Sequence, residues 1–447
     1  MKRRPVHLAI ATALACTVLA GQVPASGLVR DAEIERTIKL VSEPVLSAAG
    51  IDPSSISFFV VNNPEINAFV AGNRNIIINS GLVQKLDGVD MFQAVIAHEV
   101  AHITGGHFSQ RAIAVNEART AAGLGMLLGL VAAATGNSTA GIGVAIGAAD
   151  VAQKGLYAFS RSQESSADRR SIEYLAGAGV NPEAAIEVLE LLHRSESLQR
   201  SGSARYLRTH PLSATRINRI EELVRRHSGN VVRKDQGITR EHQYWYARAR
   251  AKFKGFLNTP SRNIRELRNA DSSEINSLVR AISYFRLPDF DAGLKETERL
   301  LRKRPNDPFY NELKGQFLLA SGRVRPAIES YDNAVSLAPK EPLLLAGLGR
   351  AQLALGNRES NAGALRTLKR AYDLDPRDAR MLRDLAIAYQ KDGQRGMAAL
   401  VTAERFALNG QFAQAATHAG HAQKLLRNGS PEWQKARDIL QMVGRLK

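Results

Sequence analysis

The sequence predicts a mainly helical α+β chain in which a first domain with a small β-sheet precedes an all-α domain of repeated helices. Residues 56–83 alternate β-branched and aromatic runs with Asn, Gly and Pro, as short strands joined by turns do. Helical apolar spacing dominates elsewhere, and Pro and Gly recur at a fixed period in the second half. A length of 447 residues allows two or three domains.

The N-terminus predicts a secretory signal peptide over residues 1–25. A basic start precedes an apolar run and small residues at cleavage spacing, which places cleavage near Ala25. An uncleaved anchor is the alternative, but the apolar run is shorter than the roughly 20 residues that span a bilayer. The single cysteine, Cys16, lies inside this run, so the mature chain would need no disulfides. We therefore expect a periplasmic protein.

The positive charge is unevenly distributed along the chain. The formal net charge is +17, yet residues 26–235 carry equal numbers of basic and acidic side chains. Apart from three basic residues at the N-terminus, the excess lies after Asp235. This indicates that the second half meets an acidic partner such as anionic lipid or a protein surface, or that it presents a solvated basic surface. Nucleic acid is not an expected partner outside the cytoplasm.

The stretch MFQAVIAHEVAHI predicts a largely buried helix, and Asp90 can cap its N-terminus. His98 and His102 are four residues apart, so they project from one helical face and can bind one zinc ion per chain. Glu99 lies beside the metal without binding it, where its carboxylate can take a proton from the attacking water. The spacing predicts a zinc peptidase site with Glu99 as general base.

A third protein ligand must come from downstream. One known pattern requires a histidine six residues after His102, but that residue is Phe108, and His107 falls one residue short. Another pattern takes a glutamate from a later helix, with an aspartate four residues beyond it. The stretch FSRSQESSADRRSIEYL supplies Glu164 and Asp168 in this arrangement. We predict that Glu164 binds zinc and that Asp168 accepts a hydrogen bond from a ligand histidine.

Residues 120–152 form two Ala/Gly/Leu-rich blocks, neither long enough to span a bilayer comfortably. One interpretation is a helical hairpin that touches a membrane or a membrane-embedded partner. The other, which we favour, is a buried helix pair beside the site, because Gly and Ala also let helices pack closely in soluble cores.

The second half has the tetratricopeptide period. Pro305 and Pro339 are 34 residues apart, as are Gly322 and Gly356. We predict about four repeats, enough to bury their shared faces, and a role in recruiting other proteins. The predicted division is a peptidase domain at 26–228, a linker at 229–240 and a repeat domain at 241–447.

Three motifs in order, HEVAH followed by His107, then SRSQESSAD, then THPLSATRI, resemble the HtpX and CAAX-prenyl-protease group of zinc metallopeptidases. With the signal peptide and the repeats, the resemblance narrows to BepA-like periplasmic proteases and covers essentially the whole mature chain. It implies a gluzincin-type fold, peptide-bond hydrolysis, and a role in the assembly of outer-membrane proteins and the disposal of stalled ones. The implied partners are unfolded or stalled β-barrel proteins and, through the basic repeats, their assembly machinery.

The resemblance also bears on two other segments. It places a loop histidine at His210 that can occupy the fourth zinc position and hold the enzyme latent. We predict a catalytic role for His210, as a switchable ligand or a transition-state contact, while the alternative is a structural histidine that anchors the loop. Residues 67–70 resemble the stretch before the metal helix, where an edge strand could bind extended substrate, although an ordinary strand turn is the alternative.

Two functions from different classes remain open on the sequence. The first is a zinc endopeptidase that the repeats bring to its clients. The second is a chaperone or scaffold whose zinc site is structural or is capped by His210. The enzyme is favoured because a structural site has no use for a carboxylate beside the metal.

Overall fold

The computed structural model describes residues 27–71, 74–107, 110, 161–197, 210, 214–228 and 238–445. The predicted signal peptide and the 120–152 hairpin lie outside these residues, as does most of the predicted linker. Two compact units divide the chain, one built around Glu35–Arg250 and the other around Ala251–Lys447 together with Arg30–Ile34. Each unit has its own buried apolar residues.

A four-stranded mixed sheet forms part of the first unit. Its strands are β1 (Leu28–Val29), β2 (Ser57–Val61), β3 (Ala68–Ala71) and β4 (Asn75–Asn79), in the order β1-β2-β4-β3. Strands β2 and β4 are parallel, and β3 runs antiparallel to β4 with Phe69 opposite Ile77. Strand β3 is therefore an edge strand of this sheet. The apolar and β-branched residues of strands β2 to β4 account for the strand signal in the sequence.

Six helices accompany the sheet in the described part of this unit, and a further helix follows them. The central helix α3 (Val89–Thr104) is buried along most of its length because apolar side chains surround it, and Gln93 donates a hydrogen bond to the Val41 carbonyl oxygen at 2.8 Å. Residues 161–177 supply a second helix that faces the site. The helices are α1 (Ala32–Ala48), α2 (Ser80–Lys85), α3 (Val89–Thr104), α4 (161–177), α5 (Glu183–Ser197), α6 (Ala214–Ser228) and α7 (Arg240–Leu257).

The second unit is a run of helices that pack on their neighbours in sequence. Tyr331 is fully buried and lies against Gly315 and Gly347 of the flanking helices, which have no side chain to exclude its ring. Gly322 and Gly356 have positive φ in the turns between helices, at the predicted 34-residue spacing. The helices are α8 (Pro260–Glu266), α9 (Glu274–Arg286), α10 (Phe290–Lys303), α11 (Pro308–Ala320), α12 (Val324–Leu337), α13 (Pro342–Leu355), α14 (Arg358–Leu374), α15 (Ala379–Lys391), α16 (Arg395–Leu408), α17 (Phe412–Leu425) and α18 (Pro431–Arg445).

The predicted fold class is confirmed: a mainly helical chain with one small sheet, followed by a helical repeat array. None of the helices in the described ranges combines the length and the apolar character needed to cross a membrane.

Candidate metal centre

Helix α3 presents the two histidines of the HEVAH motif on one face. Their Nε2 atoms lie 3.1 Å apart, as expected for residues separated by one helical turn. His98 is buried and His102 is half-buried, so both rings are largely shielded from solvent. Glu99, the next residue along the helix, is only 1% exposed.

Glu164 of α4 and His210 complete a cluster of four side chains. The Glu164 carboxylate lies 3.3 Å from Nε2 of His98 and 3.4 Å from Nε2 of His102. Nδ1 of His210 lies 3.1 Å from Glu164 and 3.2 Å from Nε2 of His98. One donor atom from each of these four residues lies within 4.8 Å of every other donor. Three elements distant in sequence thus converge on one point.

Asp168, one turn after Glu164 on α4, contacts the opposite side of the His98 ring. Its Oδ1 lies 3.2 Å from Nδ1 of His98, which leaves Nε2 of that histidine facing the cluster. Arg216 of α6 donates to both oxygens of Asp168, at 2.6 and 2.7 Å, and its Nη1 lies 3.0 Å from Glu164. A planar guanidinium suits such paired contacts with carboxylates. Arg216 therefore fixes Glu164 and Asp168 of α4 relative to α6.

His107 contacts the second histidine from outside the cluster. Its Nδ1 lies 2.9 Å from Nδ1 of His102, so His107 fixes the orientation of that ring as Asp168 does for His98. Gln163 in turn donates to the His107 carbonyl oxygen at 3.2 Å.

The electrostatics of the cluster follow from burial and paired charges. Burial opposes protonation of His98, but hydrogen bonds with Asp168 and Glu164 outweigh it and raise its pKa to about 10. Burial likewise opposes ionisation of Asp168, yet Arg216 and His98 lower its pKa. Glu99 differs, because burial raises its pKa against the attraction of the nearby histidines. The site thus favours a bound positive charge next to a carboxyl group of raised pKa.

The donor chemistry fits zinc. Three imidazoles and one carboxylate are ligands that Zn²⁺ takes in tetrahedral sites, and the four donors are close enough to share one ion. Glu99 adds a second observation: its buried Oε1 accepts no hydrogen bond from any part of the chain that the structure describes. Nε2 of His210 approaches this atom to 3.4 Å, outside good hydrogen-bonding geometry. A polar group beside the metal position would satisfy this oxygen.

The structure brings together His98, His102, Glu164 and His210, with Glu99 and Asp168 next to them. Sequence reasoning assigned no role to Arg216, although it lies within the THPLSATRI motif. Its only signal was its position six residues after His210, and lone arginines are common in so basic a chain.

Fold and site together define a zinc metallopeptidase, and residues 30–224 match the model of peptidase family M48. This match, together with the four metal-binding donors, confirms the predicted enzyme class and cofactor. Over 428 residues, the chain is 26% identical to the "Beta-barrel assembly-enhancing protease" of Escherichia coli (strain K12), in a match that covers 92% of this chain and 82% of that protein. The predicted resemblance to proteases of this kind is therefore confirmed.

Two further comparisons cover parts of the chain. The "Mitochondrial metalloendopeptidase OMA1" of Schizosaccharomyces pombe is 26% identical over 191 residues, which is 41% of this chain and 51% of that protein. Among solved structures, a thermophilic TPR protein of Thermus thermophilus aligns with 38% of this chain and 100% of its own, at 23% identity and a TM-score of 0.29.

Proposed function

We propose that this chain is a periplasmic zinc endopeptidase that hydrolyses misassembled outer-membrane β-barrel proteins and aids their assembly. The single observation that carries the peptidase activity is the convergence of four metal-binding donors within 4.8 Å, with the buried Glu99 carboxyl beside them. The client class is supported by similarity along 92% of the chain to a protease named for β-barrel assembly. The periplasmic location is supported by the sequence of residues 1–25.

In this proposal His98, His102 and Glu164 hold the zinc, and Asp168 fixes the tautomer and orientation of His98. Bound zinc supplies Lewis-acid activation of a water molecule and of the scissile carbonyl. Glu99 accepts a proton from the attacking water as the water oxygen bonds to the carbonyl carbon. It then delivers that proton to the leaving amide nitrogen as the carbon–nitrogen bond breaks.

We further propose that substrate adds as a strand to the free edge of β3. This strand ends the sheet in the described part of the chain, and the side chain of its Phe69 is exposed, which supports the proposal. The backbone N–H of Val70 donates to the Glu99 carboxyl, so this edge lies next to the general base. Strand addition uses backbone hydrogen bonds, which suits a protease that must accept unfolded β-barrel segments of varied sequence.

His210 is proposed to be a latch that keeps the site inactive. A catalytic zinc keeps one coordination position open, whereas four protein ligands close the site. His210 is buried and offers the fourth donor, so its departure would open the metal to water and substrate. The alternative, a histidine that only anchors its loop, predicts that removal of the imidazole does not increase cleavage.

The repeat domain is proposed to recruit clients or the assembly machinery. Its net positive charge and its stacked helices support a docking role. We keep the predicted division into a peptidase domain at 26–228, a linker at 229–240 and a repeat domain at 241–447 as part of this proposal. For residues 120–152, a buried helix pair remains the favoured prediction and membrane contact remains its alternative.

A chaperone or scaffold with little proteolytic activity is the second candidate, favoured by one observation: all four donor positions belong to the protein. The test is cleavage of an unfolded outer-membrane β-barrel protein by the purified mature chain at equal zinc loading. Glu99→Gln should keep zinc and lower cleavage by about 10²–10⁴-fold, as loss of a general base does. His210→Ala should raise cleavage.

The matched control is His193→Ala, which removes an exposed imidazole of α5 outside the site. It should leave cleavage and zinc content at wild-type levels. If wild type, His210→Ala and Glu99→Gln are equally inactive while all retain zinc, the peptidase proposal is wrong and the chaperone takes its place.

A further inference from the structure

A cluster of arginines lies on two repeat helices that pack against each other, α13 and α15. Asp384 of α15 is 2% exposed and pairs with two guanidinium groups. Nε of Arg350, on α13, lies 2.7 Å from its Oδ2, and Arg383 donates to its Oδ1 from Nη2 at 3.0 Å. One buried carboxylate thus holds two arginines side by side. We call Arg350, Arg380 and Arg383 the arginine cluster.

Arg380 adds a third positive charge on the same face of α15. It precedes Arg383 by three residues and Asp384 by four, the spacing of neighbours on a helix surface. Repulsion from Arg350 is the main cause that lowers the pKa of Arg380. Among the residues described, no hydrogen bond or ion pair reaches its guanidinium. Asp378, the other carboxylate nearby, is buried and caps the start of α15 by accepting from the Arg380 backbone N–H.

The carboxylates of this region are buried, whereas Arg380 and Arg383 are exposed and Arg350 is partly exposed. Arg383 has a side chain 52% exposed, whereas Asp384 and Asp378 are buried. Within the described part of the chain, Arg350 donates a hydrogen bond to Asp384 through Nε alone. Its terminal nitrogens can therefore bind an acceptor from a partner. Three guanidinium groups share the single paired carboxylate of Asp384, so positive charge is in excess here and an incoming anion would balance it.

We propose that the arginine cluster is a docking site for an acidic peptide segment of a partner protein. Carboxylates fit the planar guanidinium fork, and two or three arginines can bind two of them in paired geometry. Ile387 lies four residues after Arg383 on the same helix and is 41% exposed. An apolar side chain next to the acidic residues of the partner would cover it. The site would then recognise a short segment of the partner in which acidic residues are followed by an apolar one.

A peptide fits this surface better than an anionic membrane does. The cations are concentrated around one buried carboxylate on two helices, and an isolated apolar residue stands beside them. Membrane surfaces are bound instead by charges spread over a segment or helix face with a continuous apolar side. The proposal specifies how the repeats recruit a partner and rests on that part of the proposed function. It does not depend on peptidase activity.

The test measures binding of two short fluorescent peptides to the full mature chain. One peptide carries two adjacent glutamates followed by leucine in a Gly/Ser background, and the other has glutamines in their place. Glu99→Gln protein is used throughout, so cleavage cannot affect the signal. Fluorescence anisotropy at low and high salt gives the affinities, and phosphatidylglycerol vesicles serve as the competing probe.

The acidic peptide should bind more tightly than its amide counterpart, and high salt should weaken it. Arg380→Gln should weaken binding about tenfold, because a charge-assisted hydrogen bond is lost. Among the described residues no hydrogen bond or ion pair reaches the Arg380 guanidinium, and its removal relieves repulsion from Arg350, so this change should not lower the melting temperature. Arg325→Gln, at an exposed position of α12, is the matched control and should bind as wild type does.

Equal affinity for the two peptides, or wild-type affinity of Arg380→Gln, would overturn the proposal. Binding of vesicles that depends on Arg380, without binding of the acidic peptide, would assign the cluster to lipid headgroups instead. Because neither readout involves cleavage, an inactive peptidase and an absent docking site give different results.

Discussion

Asp168 is not one of the four metal-binding donors, yet its replacement by Asn should weaken zinc binding. Asp168 has two tasks in the structure: its Oδ1 lies 3.2 Å from Nδ1 of His98, and both its oxygens accept from Arg216. The asparagine removes the negative charge without changing the size of the side chain. Arg216 then loses the ionised carboxylate of Asp168 but keeps its contact with Glu164, at 3.0 Å, and competes with zinc for that carboxylate.

The expected loss follows from these contacts. Removing an outer hydrogen-bond partner of a ligand histidine lowers metal affinity about 10–100-fold, or about 1.4–2.7 kcal/mol. The contact of Asp168 with His98 is at the long end of the hydrogen-bond range, and its loss alone supports a decrease in zinc affinity of about tenfold. Because Arg216 would also compete with zinc for Glu164, we expect a decrease closer to about 100-fold. Competition titration against a zinc chelator at about pH 7.5, where Asp168 is ionised, measures the dissociation constant directly.

Asp291→Asn is the matched control, because Asp291 also pairs with an arginine at 2.7 Å but is 80% exposed and lies on a repeat helix. It should change neither zinc affinity nor cleavage. An Asp168→Asn protein that is folded and binds zinc within about twofold of wild type would refute the reasoning, since it would show that Asp168 does not orient His98.

Three further predictions concern stability. Burial raises the pKa of Glu312 to about 8 despite the attraction of Lys252, so its contribution to stability is present below about pH 4.5 and is lost as pH rises through about 8. Glu312→Gln should flatten this loss in thermal unfolding between about pH 5 and 9; an unchanged profile would contradict it. Gly347→Ala should destabilise the repeats by about 1–2 kcal/mol, because its Cβ would lie 2.4 Å from the Tyr331 ring and overpacking outweighs the gain in helix propensity. Gly363→Ala, whose nearest neighbour would be at 3.7 Å, is the control and should not destabilise in denaturant titrations. Chelation of zinc should lower the melting temperature of the peptidase unit, and zinc at about 100 times its dissociation constant should restore about 2.7 kcal/mol; no response to zinc would argue against a metal in the folded site.

The helical repeats were predictable because their signals are local. Gly322 and Gly356 have positive φ and Tyr331 fills the space left by two glycines, so each marks its position without reference to distant residues. The order of the strands was not predictable. Strand β4 lies between β2 and β3, a crossover that depends on how the strands pack in three dimensions.

The residues of the candidate site likewise fall into those that the sequence predicts and those that it does not. His98, Glu99 and His102 follow from the spacing of one helix, and Glu164 with Asp168 from the spacing of another. The arrangement of the helices against each other cannot be read from spacing. Arg216 illustrates this, because its role exists only where α6 packs against α4 and brings a cation between two carboxylates. An arginine with no local pattern carries no sequence signal for such a contact.

His210 connects the closed site to catalysis through both of its ring nitrogens. Nδ1 faces Glu164 and His98 in the place of a fourth ligand, while Nε2 lies 3.4 Å from Oε1 of Glu99. A structural zinc site would need the first contact but not the second. In the proposed latch, departure of one imidazole therefore opens a coordination position and uncovers the general base in the same step. This is why His210→Ala should raise cleavage only while Glu99 is present, and why the double variant His210→Ala, Glu99→Gln should be as inactive as Glu99→Gln alone.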